Sequence, residues 1–169
     1  PFSIRYPRGN GVMVDWKKPM REIKIGSGRK VTNGNDIAIL TIGHPGNFAQ
    51  DSLTELAELG VSVAHYDMRF VKPIDETMLH EVFTKFKKVI TVEDGCLMGG
   101  FGSAVLEFMV DQKYNAEVVR LGIPDEYIHH GTQEELWEDC GFNAAAITKT
   151  VCKMLSIKKS VKSAETKVG

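Results

Sequence analysis

A stretch of almost unbroken apolar character, 36–43 (DIAILTIG), and three further strand-like segments, 61–68 (VSVAHYDM), 87–94 (KKVITVED) and 116–122 (AEVVRLG), alternate with segments of helical periodicity. No other feature constrains the chain as much. A strand of this composition has no polar side to turn to water, so it has to be covered on both faces. Parallel strands are joined by crossovers of helix length, which pack back on the sheet in the right-handed sense. The alternation therefore predicts an α/β domain with a mostly parallel sheet between helices. The glycine-bearing segment 22–31 (EIKIGSGRKV) reads as a further, shorter strand, suited to an antiparallel edge.

Capping residues and one-sided apolar spacing mark the helices. Asn47 followed by Gln50 predicts the start of a helix whose Ala49, Leu53, Leu56 and Ala57 share a face, with Gly60 ending it in the left-handed region. Pro73 and Asp75 introduce a second helix, along which Met78, Leu79, Val82, Phe83 and Phe86 recur at helical spacing. A third follows the glycine-rich run 99–102 (GGFG). Thr132 and Glu135 form a capping box for a fourth, and Asn143 opens the last, whose face is Ala144, Ile147, Val151 and Met154 or Leu155. Residues 156–169 lose apolar content and gain lysine, the composition of a disordered tail. At the other end, Phe2, Ile4 and Tyr6 alternate with Ser3 and Arg5 as in a strand, so the opening residues read as the end of a unit that begins elsewhere.

Composition narrows the function classes. A length of 169 residues with 43% hydrophobic content suits one core. The 21 basic residues nearly balance the 22 acidic ones, so no global positive field exists to hold a nucleic acid or an anionic membrane. No segment approaches the roughly 20 apolar residues of a membrane span. A cytoplasmic protein with neither of those partners is expected. Cys96, Cys140 and Cys152 form no CxxC pair, and reduced thiols are expected. The adjacent His129 and His130 diverge too much to share a metal, so no metal site is expected either.

In an open parallel sheet, ligands meet the loops at the carboxyl ends of the strands, and four readings arise there. The GGFG run invites a phosphate, because glycines let backbone N–H groups approach an anion at a helix start. Neither GxGxxG nor GxxxxGK[ST] is present, so close packing of the helix on its neighbour is favoured. Asp67, Arg69 and Lys72 share one loop. Asp67 and Arg69 are interface candidates, because an arginine between Met68 and Phe70 resembles the anchors of buried protein contacts; an ion pair within the domain is the rival reading. Glu93 and Asp94 are adjacent carboxylates suited to acid–base chemistry if one is desolvated, or to capping the next turn. His44 and His130 have the chemistry to titrate near neutrality, yet no serine or cysteine stands in a nucleophile motif beside them, which argues against a self-contained hydrolase.

Taken in order, RYPRG (5–9), DMRFVKPID (67–75), VEDG and MGGFGSAV (92–105) and LGIPDEYIHHGTQEEL (121–136) resemble one family, the C-terminal end of the 1-deoxy-D-xylulose-5-phosphate synthases. The match runs from Arg5 to about Leu155. The resemblance implies a three-layer α/β/α domain with a five-stranded mixed sheet, like the C-terminal domain of transketolases. It implies a homodimeric, transketolase-like transferase that uses thiamin diphosphate and Mg²⁺ to decarboxylate pyruvate and join the two-carbon fragment to glyceraldehyde 3-phosphate, feeding isoprenoid, thiamin and pyridoxal synthesis. The cofactor is held in that family by preceding cofactor-binding and pyrimidine-binding domains with a GDG motif and paired asparagines; EDG at 93–95 is not that motif. On this reading 1–21 close the pyrimidine-binding domain and lead to a linker, 22–155 form the transketolase C-terminal-like domain and 156–169 the tail. The fragment alone is then expected to bind no cofactor or metal, to carry no catalytic residue and to be inactive. By resemblance Arg8 takes the substrate phosphate, while Arg5 and Tyr6 either help shape that pocket or serve as strand residues. The rivals are the same domain of another transketolase-like or 2-oxoacid dehydrogenase enzyme, and an independent dimerisation or regulatory module.

Overall fold

A computed structural model describes residues 1–7, 17 and 19–157. Its strands are β1 (Arg29–Thr32), β2 (Ile37–Ile42), β3 (Val63–Asp67), β4 (Lys88–Cys96) and β5 (Glu117–Ile123). The helices are α1 (Pro45–Glu58), α2 (Glu76–Lys85), α3 (Phe101–Asp111), α4 (Gln133–Asp139) and α5 (Ala144–Met154). The five strands form one sheet in the order β1-β3-β2-β4-β5, with β1 antiparallel at one edge and the other pairings parallel. This is the mixed sheet that the resemblance implies.

The period of two along each strand divides the core into two layers. Ile37, Ile39, Ile90 and Val92 pack with Ala49 and Leu56 of α1 and Ile147, Val151 and Met154 of α5. Ala38, Leu40 and Val89 face the opposite way, onto Leu79, Val82 and Phe83 of α2 and Phe101, Val105 and Phe108 of α3. Burial of each such large side chain contributes roughly 1.5–3 kcal/mol, so both faces must be covered.

Most helix boundaries follow local chemistry. Asp75 Oδ1 accepts from Met78 N at 2.9 Å to cap α2, Thr132 and Glu135 complete a capping box on α4, and Asn143 Oδ1 caps α5 through Ala146 N at 2.9 Å. Gly60 ends α1 with φ +78°, as expected. Two boundaries differ from expectation. Helix α1 begins at Pro45 with His44 at its N-cap, not at Asn47, because proline at the first helical position already has the required φ and lacks only an N–H that would have had no partner. The Gln50 side chain is therefore free to bond elsewhere, and Ala57 turns to solvent. The strand expected from Glu22 begins only at Arg29. Gly26 turns with φ +74°, and Gly28 N donates to Asp75 Oδ2 at 2.8 Å, where a Cβ on Gly28 would meet Met78 Sδ at 2.7 Å. The expected tail begins with Ser156 and Ile157; residues 158–169 lie outside the described residues.

A polar chain runs from the buried Thr41 through the buried His65 to Gln50 at the surface. His65 on β3 is 1% exposed, with Nε2 2.8 Å from Thr41 Oγ1 and Nδ1 2.7 Å from Gln50 Nε2. The Gln50 amide donates to Nδ1, which puts the ring proton on Nε2 toward Thr41 and leaves the imidazole neutral. Burial pushes its pKa from 6.5 down to about 4, against the pull of Asp67 and with the help of Arg29. Between those two pH values the unfolded chain binds a proton that the folded chain refuses, so stability rises with pH. The contribution is present above pH 6.5 and lost as the pH falls toward 4, up to about 3 kcal/mol. Urea unfolding across this window should show His65→Gln with a distinctly flatter pH dependence than the parent; parallel curves would remove His65 from the acid response.

Candidate functional site

The carboxyl ends of β2, β3 and β4 lie side by side, and β4 brings two acidic residues to that edge. Because successive strand residues point to opposite faces, Glu93 and Asp94 have opposite fates. Glu93 is 3% exposed and turns toward α3, where Oε2 accepts from Phe101 N and Oε1 from Gly102 N, both at 2.7 Å. The first amides of a helix have no intrahelical partner and carry the positive end of its dipole, so a carboxylate suits them as a phosphate would. Three glycines make room for it. A Cβ would come within 2.9 Å of Glu93 Oε2 from Gly95, 2.3 Å of the same oxygen from Gly100, and 2.9 Å of Glu93 Cγ from Gly122. The GGFG run is thus a close-packing device whose anion is the protein's own side chain, and the capping reading of Glu93 is the one observed.

Asp94 points out of the sheet, onto the loop after β2. Its Oδ2 accepts from His44 Nε2 at 2.8 Å, and Arg5 Nη2 stands 4.0 Å from Oδ1. The His44 hydrogen bond, with the Arg5 charge behind it, holds the Asp94 carboxyl below the usual range, although its partial burial opposes this. His44 packs against the rings of Phe48, 5.5 Å away, and Trp137 of α4, 5.2 Å away, which also touch each other at 5.0 Å. Phe2 meets the edge of Phe70 at 6.3 Å. Residues 1–7 are exposed, with Phe2 touching the loop beyond β3 and Arg5 facing the end of β4, the two strands that flank β2.

Of the other residues singled out in the sequence, Asp67 accepts from Arg29 Nε at 3.0 Å and from Arg69 N at 3.3 Å, while Arg69 Nε stands 4.0 Å off. Arg69 has φ +57°, a backbone conformation that this turn imposes on a non-glycine residue. The ion pair within the domain is formed, and Lys72, His129 and His130 are exposed. Tyr6 is 81% exposed, and Arg8 lies outside the described residues. Two contributors had no individual sequence signal: Trp137, which read only as part of a helix, and Arg120, whose Nη1 donates to Leu97 O at 2.6 Å and Ser103 Oγ at 3.0 Å and so ties β5 to the loop before α3.

The described residues do not fit a magnesium diphosphate. They hold no group of three or more His, Cys, Asp or Glu able to bind a metal, and the anion-friendly start of α3 is filled by Glu93. No helix among them is long and apolar enough to cross a membrane. Replacing Glu93 by Gln turns an NH₂ toward one of two backbone donors and removes the charge. A loss of about 2–3 kcal/mol in urea unfolding is expected; a change below about 0.5 kcal/mol would mean that α3 does not depend on this carboxylate.

Comparison with known proteins supplies the family. The transketolase C-terminal domain family matches residues 26–147. The 1-deoxy-D-xylulose-5-phosphate synthase of Cytophaga hutchinsonii is 65% identical over 151 residues, 89% of this chain and 24% of that protein. The synthase of Phocaeicola vulgatus is 53% identical over 152 residues, again 89% of this chain and 24% of the relative. The chain thus spans about a quarter of the length of these relatives. Among solved structures, a split-gene transketolase described as an inactive β4 tetramer superposes with a TM-score of 0.74 at 29% identity, over 82% of this chain and 45% of that one. The transketolase of Campylobacter jejuni, at 15% identity and a TM-score of 0.58 over 81% of this chain and 20% of its own, shares the fold. The chain belongs to the transketolase C-terminal domain family and corresponds to the C-terminal domain of the 1-deoxy-D-xylulose-5-phosphate synthases.

Proposed function

We propose that the chain works as the C-terminal domain of an enzyme that condenses pyruvate with glyceraldehyde 3-phosphate, releasing CO₂ and forming 1-deoxy-D-xylulose 5-phosphate. The observation that carries this reading is identity of 65% with a named synthase across 89% of the chain. Residues 1–21 then close the preceding pyrimidine-binding domain, 22–155 form the C-terminal domain, and 156–169 are a tail. Thiamin diphosphate, held with Mg²⁺ by the remainder of the polypeptide, would supply the stabilised carbanion chemistry that decarboxylation of a 2-oxoacid needs. The part of residues 1–21 is to bind substrate. Arg8 offers a planar, permanently charged fork to the phosphate dianion of the triose, the match that makes arginine the usual choice for such groups. The full enzyme is a cytoplasmic homodimer on this reading, and assembly of the similar split-gene chain as a tetramer accords with self-association.

The full-length enzyme, supplied with thiamin diphosphate and Mg²⁺, should form the pentulose phosphate from the two substrates, whereas the 169-residue chain should show neither turnover nor calorimetric binding of the cofactor. Arg8→Ala in the full-length enzyme should raise KM for glyceraldehyde 3-phosphate about 10- to 100-fold, the range for loss of a charged hydrogen bond, with KM for pyruvate little changed. An equal rise for both substrates would take Arg8 out of the phosphate role.

A further inference from the structure

After β5 the chain runs to α4, whose Trp137 lies against His44 beyond the end of β2, and between Gly122 and Phe142 none of its residues is buried. Stability within a fold is uneven, and a stretch with few buried apolar contacts opens at lower free energy than the core strands. Three observations describe how this stretch is held.

Its polar ties are internal. Thr132 N donates to Glu135 Oε2 at 2.8 Å and Glu135 N to Thr132 Oγ1 at 3.3 Å, and among the described residues no side chain of 124–139 makes a hydrogen bond outside that span. Its charges oppose closure: Asp125, Glu126, Glu134, Glu135, Glu138 and Asp139 are all exposed, and no lysine or arginine lies between Arg120 and Lys149, so the span repels itself. The third observation is the single apolar tie. Of residues 124–139, only Trp137 packs on either layer of the core. Its ring lies 5.2 Å from His44 and 5.0 Å from Phe48, on a firm seat, because His44 is bonded to Asp94 at 2.8 Å and its side chain is 16% exposed. Gly141, with φ +71°, follows α4 and offers a pivot that a residue with a Cβ rarely adopts.

We propose that residues 124–139 form a strap that swings open as one unit about Gly141, latched shut by Trp137 on the His44–Asp94 pair. Opening bares Phe48 of α1 and the His44–Asp94 pair at the carboxyl ends of β2 and β4, the edge at which a parallel α/β sheet receives ligands. Whatever binds at that edge has to displace Trp137, so the fraction of open strap scales its apparent affinity. The strap goes beyond the condensation proposed above and does not rest on it.

Hydrogen–deuterium exchange of the full-length enzyme near neutral pH checks the latch, with the amides of β2 and β4 as internal control. Peptides from 124–139 should exchange together, at least about 100-fold faster than those strands. Trp137→Ala should speed their exchange by about 10-fold or more, and His44→Ala by about 3- to 10-fold, the share of one ring contact, with the strands unchanged. Trp137→Phe, which keeps a ring, should fall between the parent and Trp137→Ala. A span as protected as the strands, or exchange that is the same in the parent and in both alanine variants, would overturn the proposal. So would acceleration of β2 and β4 by the same factor, since Trp137 would then belong to the global fold and not to a local latch. If Trp137→Ala is too unstable to purify, Trp137→Phe and His44→Ala give the same reading. These rates are read without turnover, so a failure of the condensation and a failure of the latch are told apart.

Discussion

A carboxylate in a protein interior costs several kcal/mol unless it is fully hydrogen-bonded, and Glu93 meets that condition with two backbone amides at 2.7 Å. Much of the working edge depends on this contact. It joins the end of β4 to the start of α3. It excludes a side chain at Gly95, Gly100 and Gly122, each of which would place a Cβ 2.3–2.9 Å from a Glu93 atom. Because neighbours on a strand face opposite ways, it also sends Asp94 outward. Sealing one side of the sheet and presenting a charge on the other are thus two consequences of one pair of adjacent residues.

The outward charge of Asp94 is met from within the chain, by His44 and Arg5. Asp94 and His44 come from the ends of neighbouring strands, where a parallel α/β sheet gathers its loops. At the same edge Asp94 also faces Arg5, and Phe70 beyond β3 touches Phe2.

Much of the fold was legible because it follows from periodicity and capping. The apolar runs became β2 to β5, and Asp75, Thr132 and Asn143 cap the helices they introduce. The misread boundaries are places where a tertiary contact prevailed over a local signal. Asn47 and Gln50 carry a capping pattern, yet the Gln50 side chain reaches in from the surface to His65, and the helix starts earlier on the rigid φ of Pro45. The segment 22–31 alternates like a strand, but Gly28 is captured by the spare oxygen of the Asp75 cap, and the chain pairs only from Arg29. Both contacts join residues remote in sequence, which single-residue propensity does not register.

The site was legible to a lesser degree, and the reason lies in how physical chemistry maps onto residue types. The GGFG run carries the signature of an anion at a helix start, and an anion is there; the signature does not distinguish a phosphate from the carboxylate eight residues earlier in the chain. Asp94, His44 and Trp137 are separated by about fifty residues on one side and about forty on the other, so only the parallel order of β2 and β4 and the packing of α4 bring them together. His65 stands in no motif, yet its imidazole is buried and bonded on both nitrogens, to Thr41 and Gln50. Residue type can suggest that a group binds protons or anions. Whether it does so for a ligand or for its own fold depends on which backbone amides and carboxylates the topology has already paired, and at this sheet edge Glu93 is paired inward with α3 while Asp94, on the other face, is paired with His44.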